Sequence, residues 1–296
     1  MLPAMTNAPA STSPPVVLSF AATDPSGGAG VAADILTLAS MGCHPLTVVT
    51  AIGVQDTRAP EAMLQMDVDW VVDQARCLLE DIVVDAFKVG ALGSVENAAA
   101  IAEILADYPD VPLILDPVHA SGHGDDAAQE DLLRVTRELL LPRALLVVSN
   151  GLELRRLADI EDDDEPTLAM CAERLLEAGV DYVLASGTHE PTTDIVNTLF
   201  ARGRVVRTDS WQRLAGSFHG AGSTLAAAVA ALVAGGVALT EAVGEAQEYT
   251  WQCLGRAYRP GMGFLLPDRM FWARDDDDPP IDAAAQARPR DARSSH

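Results

Sequence analysis

The chain reads as an α/β protein, with a mostly parallel central sheet flanked by helices on both faces and an antiparallel hairpin at one edge. Three observations predict it. Short apolar runs of strand length alternate with helical segments from Val16 to Ala185, the rhythm of repeated strand–helix–strand units. The rhythm then breaks, because Ile195 to Phe200 and Val205 to Thr208 flank Ala201-Arg202-Gly203-Arg204 as the arms of a hairpin. Polar clusters follow Phe20, Ile52, Leu115 and Val148, outside the carboxyl ends of strands, where ligands collect in open α/β sheets.

In order, Val16 to Phe20 is an apolar run of buried-strand type, followed by a glycine-containing turn and a helix from about Val31 to Met41. Thr47 to Ile52 is a strand with Gln55-Asp56-Thr57-Arg58 in the loop after it. Asp69 to Glu80 reads as a helix, Ala86 to Val89 as a strand, and Ser94 caps a helix running to Leu105. Leu113 to Leu115 is a strand that stops at Asp116-Pro117, where proline removes a donor. Asp125 to Leu140 is helical, Leu145 to Val148 a strand and Leu152 to Asp159 a helix; Thr167 to Ala178 forms another, stopped by Gly179. Tyr182 to Ala185 is the strand before the hairpin. A helix from Gly220 to Ala234 and an amphipathic one from Thr240 to about Arg256 end the folded part. With no internal repeat and no linker, residues 16–274 are expected to be one domain. Residues 1–15, rich in Ala, Ser, Thr and Pro, and 275–296, an aperiodic run of Asp, Pro, Ala and Arg, are expected to be disordered.

Bulk properties narrow the function. The 296 residues carry 20 Lys and Arg against 43 Asp and Glu, a formal net charge of −23, which disfavours nucleic acid and anionic membranes as partners. An anionic ligand must therefore be drawn in by local dipoles, metal ions or a few selected cations. The cysteines Cys43, Cys77, Cys171 and Cys253 form no CxxC or zinc-type spacing and read as buried thiols in a reducing compartment. No apolar stretch reaches the roughly 20 residues that span a bilayer, and the start has no basic, signal-like region. The expectation is a cytoplasmic protein.

The stretch Gly216-Ser217-Phe218-His219-Gly220-Ala221-Gly222-Ser223-Thr224 runs straight into an alanine-rich helix. Gly220 and Gly222 let a ligand approach the backbone, and the first N–H groups of a helix lack intrahelical partners at the positive end of its dipole. Such a place suits a phosphate. The plainer reading is a small-residue loop entering a core helix. Near the amino terminus, Gly27-Gly28-Ala29-Gly30 follows a strand but lacks GxGxxG spacing and a downstream acidic ribose reader, which argues against a dinucleotide-dependent oxidoreductase.

Seven stretches occur in order: Ala22-Thr23-Asp24-Pro25-Ser26-Gly27-Gly28-Ala29-Gly30, Val54-Gln55-Asp56-Thr57-Arg58, Lys88-Val89-Gly90-Ala91-Leu92-Gly93-Ser94, Leu115-Asp116-Pro117-Val118, Asn150-Gly151-Leu152-Glu153, Gly187-Thr188-His189-Glu190 and His219-Gly220-Ala221-Gly222. Together they resemble the hydroxymethylpyrimidine/phosphomethylpyrimidine kinases of thiamine biosynthesis, which share the ribokinase-like fold with pyridoxal kinases. The resemblance covers about Val16 to Arg274. It implies phosphorylation of 4-amino-5-hydroxymethyl-2-methylpyrimidine, and of its monophosphate, by ATP with Mg2+. The implied catalytic loop is Gly220, Ala221, Gly222 and Ser223, and the implied substrate contacts are Asp24, Gly28, Gln55 and His219. Asn150, Ser186, Thr188 and Gly222 would meet the nucleotide, and Asp116 and Glu153 the metal.

The residue types suit these roles. Magnesium prefers oxygen ligands and keeps waters, and Gln55 carries a donor and an acceptor on one side chain, as an aminopyrimidine edge requires. Each residue also has a plainer reading: a turn aspartate at Asp24, a loop aspartate at Asp116, a helix-start glutamate at Glu153, a helix cap at Asn150 and a satisfied loop histidine at His219. Two positions depart from the family. Ser223 stands where many members carry cysteine and the wider group aspartate, and Ala185-Ser186-Gly187-Thr188-His189 lacks the lysine many members have there. A serine hydroxyl is a poor base at neutral pH, so electrostatic stabilisation is expected to carry the transfer. The expected partner is a small aminopyrimidine alcohol, with no nucleic acid or membrane, in a homodimer. A pyridoxal- or pyridoxine-type kinase and a degenerate kinase fold that binds a pyrimidine without turnover remain alternatives.

Overall fold

The computed structural model describes residues 13–117, 126–160 and 166–274. The expected disorder of residues 1–12 and 275–296, the residue Val118 and the expected helix start at Asp125 lie outside them. The sheet has nine strands in the order β3-β2-β1-β4-β5-β6-β7-β8-β9. These are β1 Val16–Thr23, β2 His44–Gln55, β3 Pro60–Gln65, β4 Ala86–Val89, β5 Leu113–Leu115, β6 Leu146–Asn150, β7 Tyr182–Ser186, β8 Asp194–Ala201 and β9 Arg204–Gln212. The six strands from β2 to β7 are parallel, and β3, β8 and β9 are antiparallel to their neighbours.

The helices are α1 Gly30–Ser40, α2 Val68–Asp81, α3 Val95–Ala106, α4 Asp126–Val135, α5 Gly151–Ala158, α6 Leu168–Glu177, α7 Ala221–Ala234 and α8 Leu239–Gly255. Side chains alternate across each strand. In β1, Leu18 and Phe20 join the core beneath α2 to α6, while Val17 joins the core beneath α1, α7 and α8. Both faces are therefore covered, as a parallel sheet requires. α7 is buried almost throughout from Ser223 to Ala231.

The fold matches the expected α/β class, with differences in detail. Antiparallel ribbons close both edges, not one, because Gln55 to Arg58 lies at the tip of a β2–β3 hairpin and not in a simple loop. The helix expected to reach Leu140 ends at Val135 and continues as a π turn over Thr136–Leu140 and a 3-10 turn over Leu141–Arg143. Ser94 caps α3 by accepting from Asn97 N–H, as expected. Cys43, Cys171 and Cys253 are buried, but Cys77 is exposed on α2, because it falls on the outer side of that helix. Among the described residues no helix is long and apolar enough to cross a membrane.

The chain leaves β1 for β2 on one side and later returns to β4 on the other. The carboxyl ends of β1 and β4 therefore flank the crevice in which an open sheet of this kind binds ligands.

Candidate active site

A cavity of about 260 Å3 opens at that crevice, with Asp24, Gln55, Lys88, His219, Ser223 and Phe264 among its lining residues. Asp24 follows β1 and is 7% exposed. Its carboxylate accepts from Ser26 N–H and Oγ–H at 2.8 and 2.7 Å, from Ala29 N–H at 2.7 Å, and from His219 Nε2–H at 2.8 Å. Burial works against its charge, but the hydrogen bonds from His219, Ser26, Gln55 and Ala29 outweigh it and hold the carboxyl well below the usual range. The amide nitrogen of Gln55 lies 3.3 Å from His219 Nε2, so both nitrogens gather at Asp24. Gln55 keeps its carbonyl oxygen to accept from a ligand. Gly28 makes room for this group, since a Cβ there would overlap the His219 ring.

The start of α7 adjoins the cavity and contributes Ser223 to its lining. Gly220 is its N-cap with φ +88° and no side chain caps the helix, which leaves N–H groups of the first turn for an anion. Ser223 Oγ donates to Asp116 Oδ2 at 3.1 Å. Asp116 ends β5 and is 3% exposed. Its Oδ2 also lies 3.1 Å from Lys88 Nζ, which in turn lies 3.1 Å from Asp34 Oδ1, and Ser19 Oγ donates to Asp34 at 2.6 Å. Burial alone would depress Lys88, but Asp34 and Asp116 outweigh it and raise the ammonium above its ordinary value, so it stays charged.

Beside this group, α5 begins with a reciprocal cap. Asn150 Oδ1 accepts from Leu152 and Glu153 N–H, both at 3.0 Å, and Glu153 Oε2 accepts from Asn150 N–H at 3.2 Å. Burial, and then the charge of Asp116, push the Glu153 carboxyl up to about 7. Asp116 and Glu153 supply oxygen donors alone, the chemistry that suits a hard divalent cation. The β6–β7 ladder pairs Asn150 with Ser186, and Ser186 Oγ lies 2.7 Å from Thr188 Oγ1. Asn150, Glu153, Ser186 and Thr188 therefore stand at the ends of β6 and β7, outside the cavity lining; Asp24, Gln55, His219 and Ser223 line the cavity, and Gly28 and Gly220 to Gly222 lie beside it without lining it. Among the described residues, the nearby cations are engaged elsewhere: Arg213 with the carbonyls of Thr188, Glu190 and Thr192, and Arg155 with Glu190.

Sequence reasoning missed Lys88, Asp34 and Arg269. A lysine inside the apolar strand Ala86-Phe87-Lys88-Val89 was the available signal, since a buried ammonium needs carboxylates close by. Arg269 carries no local signal at all.

The sequence profile of the phosphomethylpyrimidine kinase family matches residues 24–267, well over half of the chain. The chain belongs to that family. A hydroxymethylpyrimidine/phosphomethylpyrimidine kinase of Mycobacterium tuberculosis is 37% identical over 258 residues, 86% of this chain and 94% of that protein. Among solved structures, a Bacillus subtilis pyridoxal kinase in complex with ADP superposes with a TM-score of 0.81 at 23% identity, over 89% of this chain and 100% of that one. A phosphomethylpyrimidine kinase of Clostridium difficile gives a TM-score of 0.66 at 26% identity, over 79% and 98%. The ribokinase-like fold shared by pyridoxal and phosphomethylpyrimidine kinases is thus the fold of this family member.

Proposed function

We propose that the chain phosphorylates 4-amino-5-hydroxymethyl-2-methylpyrimidine at its hydroxymethyl oxygen with ATP, and then phosphorylates the monophosphate, in thiamine diphosphate biosynthesis. The observation that carries this reading is the cavity itself, whose lining joins Asp24, Gln55 and His219 to Ser223 in the first turn of α7. An aminopyrimidine offers ring nitrogens and an amine to the first, and a hydroxymethyl arm directed at the second lies in line for phosphoryl transfer.

The side chains divide the work. Asp24, fixed as an anion by four neighbours, and Gln55 orient the ring. The N–H groups of Ala221, Gly222 and Ser223 stabilise charge on the transferring phosphoryl oxygens. Ser223 directs its proton to Asp116 and so keeps its lone pairs toward the incoming hydroxyl. Asn150, Ser186 and Thr188 bind the nucleotide. Asp116 and Glu153 fit a magnesium ion, which when bound would neutralise charge on the phosphates. Lys88 holds Asp116 in place. The attacking O–P bond forms as the bond to ADP breaks, and the hydroxyl proton leaves to solvent or phosphate.

The deciding experiment is a coupled assay of ADP release with hydroxymethylpyrimidine and pyridoxal side by side. Turnover of the pyrimidine at far higher kcat/KM supports the reading, preference for pyridoxal would replace it, and binding without turnover would favour a degenerate kinase. Three substitutions refine it. Gln55→Leu should raise KM for the pyrimidine, at a cost of roughly 1–3 kcal/mol, with KM for ATP little changed; equal pyrimidine affinity would remove Gln55 as the reader. Ser223→Ala should lose less than about tenfold in kcat, roughly 1.4 kcal/mol, because the N–H groups carry the stabilisation; a thousandfold loss with ATP binding intact would make the hydroxyl catalytic.

Glu153→Gln should lower turnover at limiting magnesium, with partial recovery in excess. A proton on Glu153 competes with the cation below about pH 7, so apparent magnesium affinity in the wild type should rise between pH 6 and 8 and lose that rise in the variant. An unchanged magnesium titration would remove Glu153 from the metal site. We also propose a cytoplasmic homodimer. Cysteine spacing without a disulfide or zinc pattern supports the compartment, and the exposed Ile52, Val54, Met63 and Leu64 on the β2–β3 ribbon support pairing of two copies. Cell fractionation and sedimentation equilibrium check the two points.

A further inference from the structure

Arg269 follows α8, is 3% exposed, and no carboxylate among the described residues forms an ion pair with it. Its guanidinium is spent on oxygens of two loops. It donates to Gly27 O at 3.2 Å and Gly28 O at 2.5 Å in the loop after β1, and to Thr224 Oγ1 at 3.0 Å and Gly220 O at 3.5 Å at the start of α7. Thr224 Oγ1 itself donates to Gly220 O at 2.7 Å. The loops touch: a Cβ on Gly220 would overlap the carbonyl oxygen of Gly28. Carbonyl oxygens turned toward one point repel one another, and a buried cation with a planar fork of donors is what allows them to converge.

In a planar trans peptide the N–H points opposite to the preceding C=O. The carbonyl of Gly28 directed at Arg269 therefore turns Ala29 N–H the other way, onto Asp24 Oδ2 at 2.7 Å. The carbonyl of Gly220, held by Arg269 and Thr224, turns Ala221 N–H away from the guanidinium, toward the phosphoryl side. We infer that Arg269 is a positioning residue that sets the ring-binding loop against the phosphoryl-binding helix start by fixing the peptide planes of both. Arg269 touches no substrate; it acts through Asp24 and through the N–H groups of α7. The inference deepens the kinase reading given above and rests on it for the chemical roles of the two loops.

The test is Arg269→Lys, which keeps the charge but concentrates the donors on one nitrogen. In the full chain we expect kcat for the pyrimidine to fall about 30-fold or more and its KM to rise about tenfold, with KM for ATP within threefold. Amide hydrogen exchange should rise at residues 27–29 and 220–224 while core strands β1, β4 and β6 keep their protection. Unchanged kinetics and loop exchange would overturn the inference, and so would exchange that rises throughout the chain, which marks a merely structural arginine. Should Arg269→Lys not fold, Thr224→Val decides: a three- to tenfold fall in kcat with faster exchange confined to 220–224 supports the inference, and no change overturns it. Absence of turnover in the wild type would sink the kinase reading alone, since the exchange comparison still decides whether Arg269 orders both loops.

Discussion

Gly220→Ala is expected to lose about 10²- to 10³-fold in turnover while the protein still folds. Gly220 sits at φ +88°, a left-handed conformation that costs an L-residue about 1–2 kcal/mol. Its missing Cβ is also the space occupied by the Gly28 carbonyl oxygen. A methyl there must push the two loops apart, and a displacement of about 1 Å between a bound group and its catalytic donors is enough for a 10²-fold loss. The effect should fall mainly on kcat, because the residues on β6 and β7 that we propose bind ATP are untouched. Steady-state kinetics together with a thermal melt make the check: turnover within fivefold of wild type would show that the loops have room to spare.

The second large effect is on stability. Lys88→Met is expected to destabilise the fold by about 3–5 kcal/mol, because it removes one partner of a buried ionic cluster and leaves Asp34 and Asp116 uncompensated. For a chain of this size that corresponds to a melting temperature lower by roughly 10 °C. Burial already raises the Asp34 carboxyl, so in the variant Asp34 takes up a proton, and the deficit should shrink as the pH is lowered. Lys88→Met combined with Asp34→Asn should recover part of the loss, since a buried charge is removed with its partner. A melt of Lys88→Met within 2 °C of wild type, read by calorimetry, would show that the cluster contributes little.

How far the sequence revealed this molecule differs by element. The parallel sheet was legible because β1, β4, β5, β6 and β7 are buried on both faces and appear as short apolar runs. β3 was not, since all six of its residues, Pro60 to Gln65, are exposed and impose no alternation; its position is set by pairing with β2. The glycine loop at α7 was legible only beside the other six stretches, since Gly220 and Gly222 alone fit a small-residue loop entering a core helix equally well. The link between Asp24 and His219 was not, for it joins residues far apart in sequence and neither neighbourhood signals the other. Asn150 bears out its plain reading, since its oxygen caps α5, and the amide group stays available for the nucleotide contact proposed above. Lys88 and Arg269 were hidden for the same reason, because their partners are backbone and carboxylate groups that come together after the chain has folded.

α7 buries Ala226, Ala227, Ala228, Ala230 and Ala231 almost completely. An alanine has no rotamers to lose, so packing these residues costs no side-chain entropy, and the methyl groups let the helix axis settle close against the sheet. Thermal motion of such a helix has little slack to exploit, and its amino-terminal dipoles stand fixed before any substrate arrives. In water the same stabilisation of a moving phosphoryl group would demand that solvent molecules turn during the reaction. Under the proposed role of α7 that reorientation is completed when the chain folds, and five methyl groups far from the proposed chemistry help to hold it so.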